Sequence, residues 1–263
     1  MFFSSVVLYL SLRKSSLLKT PTQLNNLAMF ALPLVFYLLM LAAGSKDSLR
    51  ISPFHLFILL IMSFFFSYLG NVFSLKSIEL APNPGYSLIL SKSYVVFTSL
   101  VAVFVFRSDL TLRSAVAIGI IVAFSSLVMI DQKASKNVNA NTLWLPLALA
   151  SFFCWGFLAL FSKYLLLQGV SVLARLIYLT AIVSVFIVGE IISTKPKWAK
   201  VTSLQLLLLL IIGATASGFN YFMQVGFSLA PNIGYVNAIN ASSIALVSVL
   251  SAVLFKDELT VRK

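Results

Sequence analysis

Nine apolar runs separated by short polar breaks set the pattern of this chain: residues 2–12, 27–43, 53–75, 85–106, 114–130, 143–167, 170–192, 204–230 and 233–255. The last eight are long enough to cross a bilayer as helices, for which about 20 residues suffice. The first would cover only about 16 Å at helical rise, against roughly 30 Å of hydrocarbon, and is expected not to span. Backbone groups in lipid must be satisfied within their own segment, so such runs predict helices. The strict alternation of a membrane barrel is missing. The breaks carry what a membrane exit needs: Gly44, Ser45, Lys46 and Asp47 in one, Arg107, Ser108 and Asp109 in another, Lys195, Pro196, Lys197 and Trp198 in a third.

Composition sharpens this into a class. Apolar residues make up 60%, charged residues 10%, and the mean hydropathy is +1.02, beyond what a soluble core requires. The expectation is an integral, multi-pass protein, placed in the plasma membrane. The formal charge of +12 would suit a nucleic-acid partner, but the nineteen basic residues stand singly or in small groups between apolar runs, as membrane-flanking charges do. The lipid bilayer is therefore the expected partner, and nucleic acid is not. Cys154, the single cysteine, excludes an intrachain disulfide and a thiolate zinc cluster.

One motif occurs twice. Residues 80–86 read LAPNPGY and residues 229–235 read LAPNIGY, an offset of 149. The same offset pairs Asn71 with Asn220, Phe73 with Phe222, Ser93 with Ser242, Ser99 with Ser248, Leu110 with Leu259 and Arg113 with Arg262. A duplication of this length in an apolar chain is a sign of a transporter built from two related halves. Five crossings separate equivalent points, and five is odd, so matching helices would cross in opposite directions as an inverted repeat. The implied organisation is a first repeat over 1–131, a linker over 132–142 that takes in most of the polar stretch DQKASKNVNAN at 131–141, and a second repeat over 143–263. The fold class is an all-α bundle of two inverted five-helix repeats with about nine helical segments. Its first helix is shortened and its tenth absent, as a fragment or as a reduced natural form.

With both turns in view, Arg107-Ser108-Asp109-Leu110-Thr111 and Lys256-Asp257-Glu258-Leu259-Thr260, the chain resembles the EamA-type transporters of the drug/metabolite transporter superfamily. That repeat has a Pro or small-residue entry to its fourth helix and an acidic-Leu-Thr turn into its fifth, and the likeness covers nearly the whole chain. Arg175 matches the arginine near the start of a repeat's second helix; Asn26 stands at the corresponding place in the first half. The resemblance implies a secondary transporter that moves a small-molecule organic metabolite by alternating access through a central cavity. It also implies that both chain ends of the full form lie inside the cell. Twelve of the nineteen basic residues, in the loops after odd-numbered runs, point the other way.

Polar residues within the runs are the candidate substrate contacts. Lys92 sits seven residues into its run, where a buried ammonium faces a wet cavity or snorkels to the headgroups. Asn237, Asn240 and Ser243 recur at steps of three on one helix stripe, and Asn220 and Gln224 form an i, i+4 pair. Ser67, Asn71 and Ser74 have a comparable rhythm in the earlier half. Trp155 and Arg175 complete the set. Interhelical hydrogen bonding is the competing role for the amides. Tyr86 and Tyr235 are expected as interfacial anchors, and Gly85 and Gly234 as points of close helix approach.

Catalytic patterns are missing. His55 is the single histidine and has no ligand partner at helical spacing, and no Gly-rich phosphate loop occurs. No enzymatic activity, cofactor or metal is expected. A nucleotide-sugar or phosphorylated-metabolite exchanger is the alternative within transport, with Lys92 and Arg175 on the phosphate. A non-transporting or truncated membrane protein is the alternative outside it.

Overall fold

A computed structural model describes residues 1–44, 47–113, 115–117, 119–120, 142–195 and 200–257. Most of the run at 114–130, the linker apart from Thr142, and the 258–260 portion of the second acidic turn lie outside the described residues. The long helices among the described residues are α1 (Phe2–Leu17), α2 (Thr22–Ala42), α3 (Pro53–Leu80), α4 (Pro84–Phe106), α5 (Trp144–Leu167), α6 (Val172–Thr194), α7 (Ser203–Leu229) and α8 (Ile233–Phe255). No strand occurs among the described residues. The seven from α2 to α8 are each long and apolar enough to cross a membrane, the pattern of a multi-pass integral membrane protein.

Local chemistry sets the helix ends. In both copies of the repeated motif the asparagine is the N-cap: Asn83 Oδ1 accepts the Gly85 amide at 2.7 Å, and Asn232 Oδ1 accepts the Gly234 amide at 2.8 Å. Pro84 fills the first helical position of α4, where a missing N–H costs nothing. Thr202 and Gln205 form a reciprocal capping box on α7. Helices α4 and α8 end on Arg107 and Lys256, one offset apart, both left-handed at φ 51° and 58°.

Helix α1 is longer than the hydrophobic run predicts. It continues through Arg13 and Lys14 to Leu17 because Arg13 is satisfied inside the bundle. Its Nε donates to Asp257 Oδ2 at 3.0 Å, Nη2 to Asp257 Oδ1 at 2.5 Å, and Nη1 to the Ile78 carbonyl at 3.4 Å. Ser251 Oγ holds the same carboxylate at 2.5 Å.

Packing is reciprocal. Helix α1 lies on α7 and α8 as α5 lies on α3 and α4; α2 meets α7 as α6 meets α3; α2 meets α6, and α4 meets α8. The α4–α8 contact repeats in detail, with Asn83 Nδ2 reaching the Ser248 carbonyl and Asn232 Nδ2 the Ser99 carbonyl, both at 3.5 Å. Gly85 packs on Ser248 and Gly234 on Ser99, so closely that a methyl group at either glycine would lie 2.7 or 2.8 Å from the serine Cβ. Helix ends and connecting segments are tied in as well. Gln205 of α7 donates to the Leu18 carbonyl and Ser77 of α3 to the Trp144 carbonyl, while Ser171 and Tyr178 of α6 hold the segment before α3.

Large apolar side chains face outward as well as inward. Phe3, Phe104, Leu229 and Val253 are more than two-thirds exposed, while Ser, Thr and Asn share the interior with an apolar core. Interior hydroxyls donate mainly to carbonyls three or four residues back: Thr98 to Tyr94, Ser99 to Val95, Ser217 to Gly213, Ser248 to Ile244. Lys163 of α5 closes the end of α7 by donating to the Phe227 and Ala230 carbonyls at 2.9 and 3.0 Å.

Candidate functional site

Two helices depart from regularity, both beside the same cavity. Helix α3 is π-helical from Met62 to Tyr68, whereas α7 runs unbroken for 27 residues. The wider π turn shifts the register of the remainder of α3, and Ser67, Asn71 and Ser74 all face the cavity. Helix α4 is interrupted at Ser93, between segments Pro84–Lys92 and Tyr94–Phe106, whereas α8 is continuous. Lys92 is the last residue before that break.

The cavity holds about 870 Å³ of atom-free space, its mouth included, and takes its lining from α1 to α7. Lys92 and Arg175 are its charged lining residues, and no carboxylate joins them. Lys92 is 5% exposed. Its ammonium stands 5.4 Å from the ring centroids of Tyr9 and Trp155, 5.7 Å from Phe219 and 5.8 Å from Tyr94. Four rings from α1, α4, α5 and α7 thus turn their electron-rich faces to one cation, which compensates part of its lost hydration without a counter-ion. Arg175, 3% exposed, donates from Nη2 to Ser162 Oγ at 2.5 Å, while its Nε–H has no partner among the described residues.

Six of the eight candidate residues meet in this space: Asn71, Lys92, Trp155, Arg175, Asn220 and Gln224. Asn71 donates to Asn26 Oδ1 at 2.6 Å, and Asn220 to the Ala216 carbonyl at 3.0 Å. Gln224 Oε1 and Trp155 Nε1 are buried without partners among the described residues. Asn237 and Asn240 stand apart from the lining. Asn237 donates to Thr98 Oγ1 at 3.0 Å and accepts from the Tyr94 hydroxyl at 3.2 Å, which uses its amide between α8 and α4. Asn240 is buried beside Tyr94, and its side-chain amide makes no hydrogen bond of ordinary geometry among the described residues. The shared stripe is real, but its neighbour is a helix.

Tyr86 also corrects an expectation. It is 1% exposed and packs with Ala81, Leu90, Trp144 and Ala148, because the bundle closes over the start of α4. Tyr235 donates to the Asp109 carbonyl at 3.2 Å. Glu190, in the last part of α6, accepts from the Tyr68 hydroxyl at 2.5 Å and from Gln23 at 3.3 Å, away from the cavity lining. Tyr9, Tyr94, Ser162 and Phe219 are not singled out by the sequence. An aromatic residue in an apolar run carries no mark that separates cage from core.

No family model matches the chain, and no curated protein matches it. Solved structures share the fold. One, described only as "Crystal structure of protein", aligns over 99% of this chain and 90% of its own length at a TM-score of 0.73 with 16% identity. At that identity the likeness concerns architecture alone: a multi-pass helical bundle.

Proposed function

We propose that the protein is a secondary carrier of the EamA type, built from two inverted repeats, that moves a small organic metabolite across the plasma membrane by alternating access. The observation that carries the reading is the cavity itself, enclosed by helices from both halves of the chain and lined with polar groups, most of them on helices long and apolar enough to cross a membrane. Ionisable and amide residues there are costly, and a solute pathway is their usual purpose. The reciprocal contacts support the inverted arrangement: exchanging α1–α4 with α5–α8 reproduces the packing pattern, down to Gly85 on Ser248 and Gly234 on Ser99. Five crossings between equivalent points reverse direction. A pivot along the α4–α8 seam would let the halves rock around a fixed cavity.

The π-helical stretch of α3 and the break at Ser93 fit a carrier, since irregular backbone at this depth is tolerated where it lines a cavity. The test is counterflow: purified protein in liposomes loaded with a metabolite panel, each tested for accelerated uptake of its own label. A saturable signal for one class supports the reading. A panel spanning organic acids, amino acids, sugars, sugar phosphates and amines with no counterflow refutes it. Strict dependence on a trans anion would favour a nucleotide-sugar or phosphorylated-metabolite exchanger, to which the charges of Lys92 and Arg175 lend weight.

A further inference from the structure

We infer that the solute held between Lys92 and Arg175 is a small organic oxyanion that also carries a hydroxyl or amino hydrogen-bond donor. The inference rests on reading this cavity as the solute's seat.

Charge supports the first part. The lining contributes an ammonium and a guanidinium and no carboxylate. Neither cation has an ion-pair partner among the described residues, whereas buried Arg13 is paired with Asp257. The aromatic cage holds the Lys92 ammonium where hydrocarbon would otherwise disfavour it, yet leaves its three N–H donors with no acceptor among the described residues. A cationic solute would be repelled here, and a neutral one would leave both charges uncompensated.

Unpartnered atoms support the second part. Arg175 Nε and Trp155 Nε1 are buried donors without acceptors, and Gln224 Oε1 is a buried acceptor without a donor, among the described residues. All three side chains line the cavity, and Arg175 and Gln224 are over nine-tenths buried. Buried polar groups are nearly always satisfied, so such a set describes its ligand in negative. Oxygens belong toward Lys92, Arg175 and Trp155, and an O–H or N–H toward Gln224. A carboxylate and a phosphate meet the first demand equally, through charge-assisted bonds.

Thermal stabilisation in phosphatidylcholine nanodiscs at constant ionic strength tests this. The probes are malate, succinate, glycerol 3-phosphate and inorganic phosphate, with glycerol and choline as neutral and cationic controls. The organic anions raise the midpoint, glycerol and choline do not, and malate exceeds succinate, which lacks the hydroxyl. Lys92→Gln and Arg175→Gln each weaken half-saturation at least tenfold, the loss expected for a charge-assisted bond. Lys92→Arg retains binding. Gln224→Leu erases the margin of malate over succinate while leaving succinate unaffected, a readout that does not depend on the charge variants folding well. Glycerol 3-phosphate against malate separates phosphate from carboxylate preference. Stabilisation by choline or glycerol instead, no response to any anion, or anion effects unchanged in both charge variants overturns the inference. Counterflow keeps the two readings apart: uptake of a neutral or cationic solute leaves the carrier standing without an anion site, whereas an anion bound but never moved does the reverse.

Discussion

A single methyl group at Gly85 measures how tightly the α4–α8 seam is closed. Placed there, a Cβ would lie 2.7 Å from Ser248 Cβ and run into the serine hydroxyl. Carbon atoms pack at about 3.5–4.0 Å, so the helices must part by about 1 Å, since rotating the hydroxyl away relieves only the oxygen contact. Inserting a methyl into a packed interior costs about 1–3 kcal/mol. At roughly 2–4 °C per kcal/mol for a chain of this size, Gly85→Ala lowers the melting midpoint by several degrees, read by intrinsic fluorescence in nanodiscs. Ser248→Gly removes the two nearest obstructing atoms, leaving the capping Asn83 Oδ1 at 3.0 Å, and alone costs only about 0.5 kcal/mol of helix propensity. The double variant then melts close to Ser248→Gly alone, giving a coupling of about 1–3 kcal/mol. Gly234→Ala with Ser99→Gly repeats the result, because the second contact copies the first. A Gly85→Ala protein that melts like the parent, or a double variant whose losses merely add, would refute the close approach.

Arg13→Gln leaves Asp257 buried without its partner and lowers stability by about 3–5 kcal/mol, whereas Arg13→Leu with Asp257→Leu recovers most of the loss; thermal melts of the three variants decide it. Asn237→Leu breaks the bonds to Thr98 and Tyr94 and costs about 1 kcal/mol of stability, with no change in the KM of whichever solute shows counterflow; a raised KM would return Asn237 to the cavity. Because Trp155 Nε1 lacks a partner among the described residues beside the cavity, malate binding shifts tryptophan emission, and Trp155→Phe removes the shift while Trp144 and Trp198 still emit.

The frame is legible because its signals are local or repeated. Apolar runs mark helices α2 to α8, the asparagine of each LAPN copy is an N-cap, and the offset that pairs Ser99 with Ser248 pairs two contacts of one seam. The features that escape depend on atoms brought together across the chain. Arg13 reads as the end of a short apolar run until Asp257, 244 positions away, is seen to neutralise it. The period-three spacing of Asn237 and Asn240 fixes that they share a face but not what that face meets. The π-helical stretch at Met62–Tyr68 leaves no trace in a run of Phe and Ser.

The seam contacts recur at the offset of the repeated motif, whereas the charged residues of the cavity have no match at that offset, and electrostatics explains the division. The offset partner of Lys92 is Ala241, and that of Arg175 is Asn26. A faithful copy would have put a second lysine on α8 and a second arginine on α2, buried cations with no carboxylate on the cavity lining to pair with them, each losing its hydration. One lysine from the first half and one arginine from the second keep the charge to what a single oxyanion can balance. At the vacated positions the chain places neutral groups: Asn26 accepts from Asn71, and Ala241 packs against the central apolar cluster. The seam contacts thus recur at one offset, whereas the broken α4 and the π-helical α3, both on the cavity lining, have no counterpart in the continuous α8 and α7.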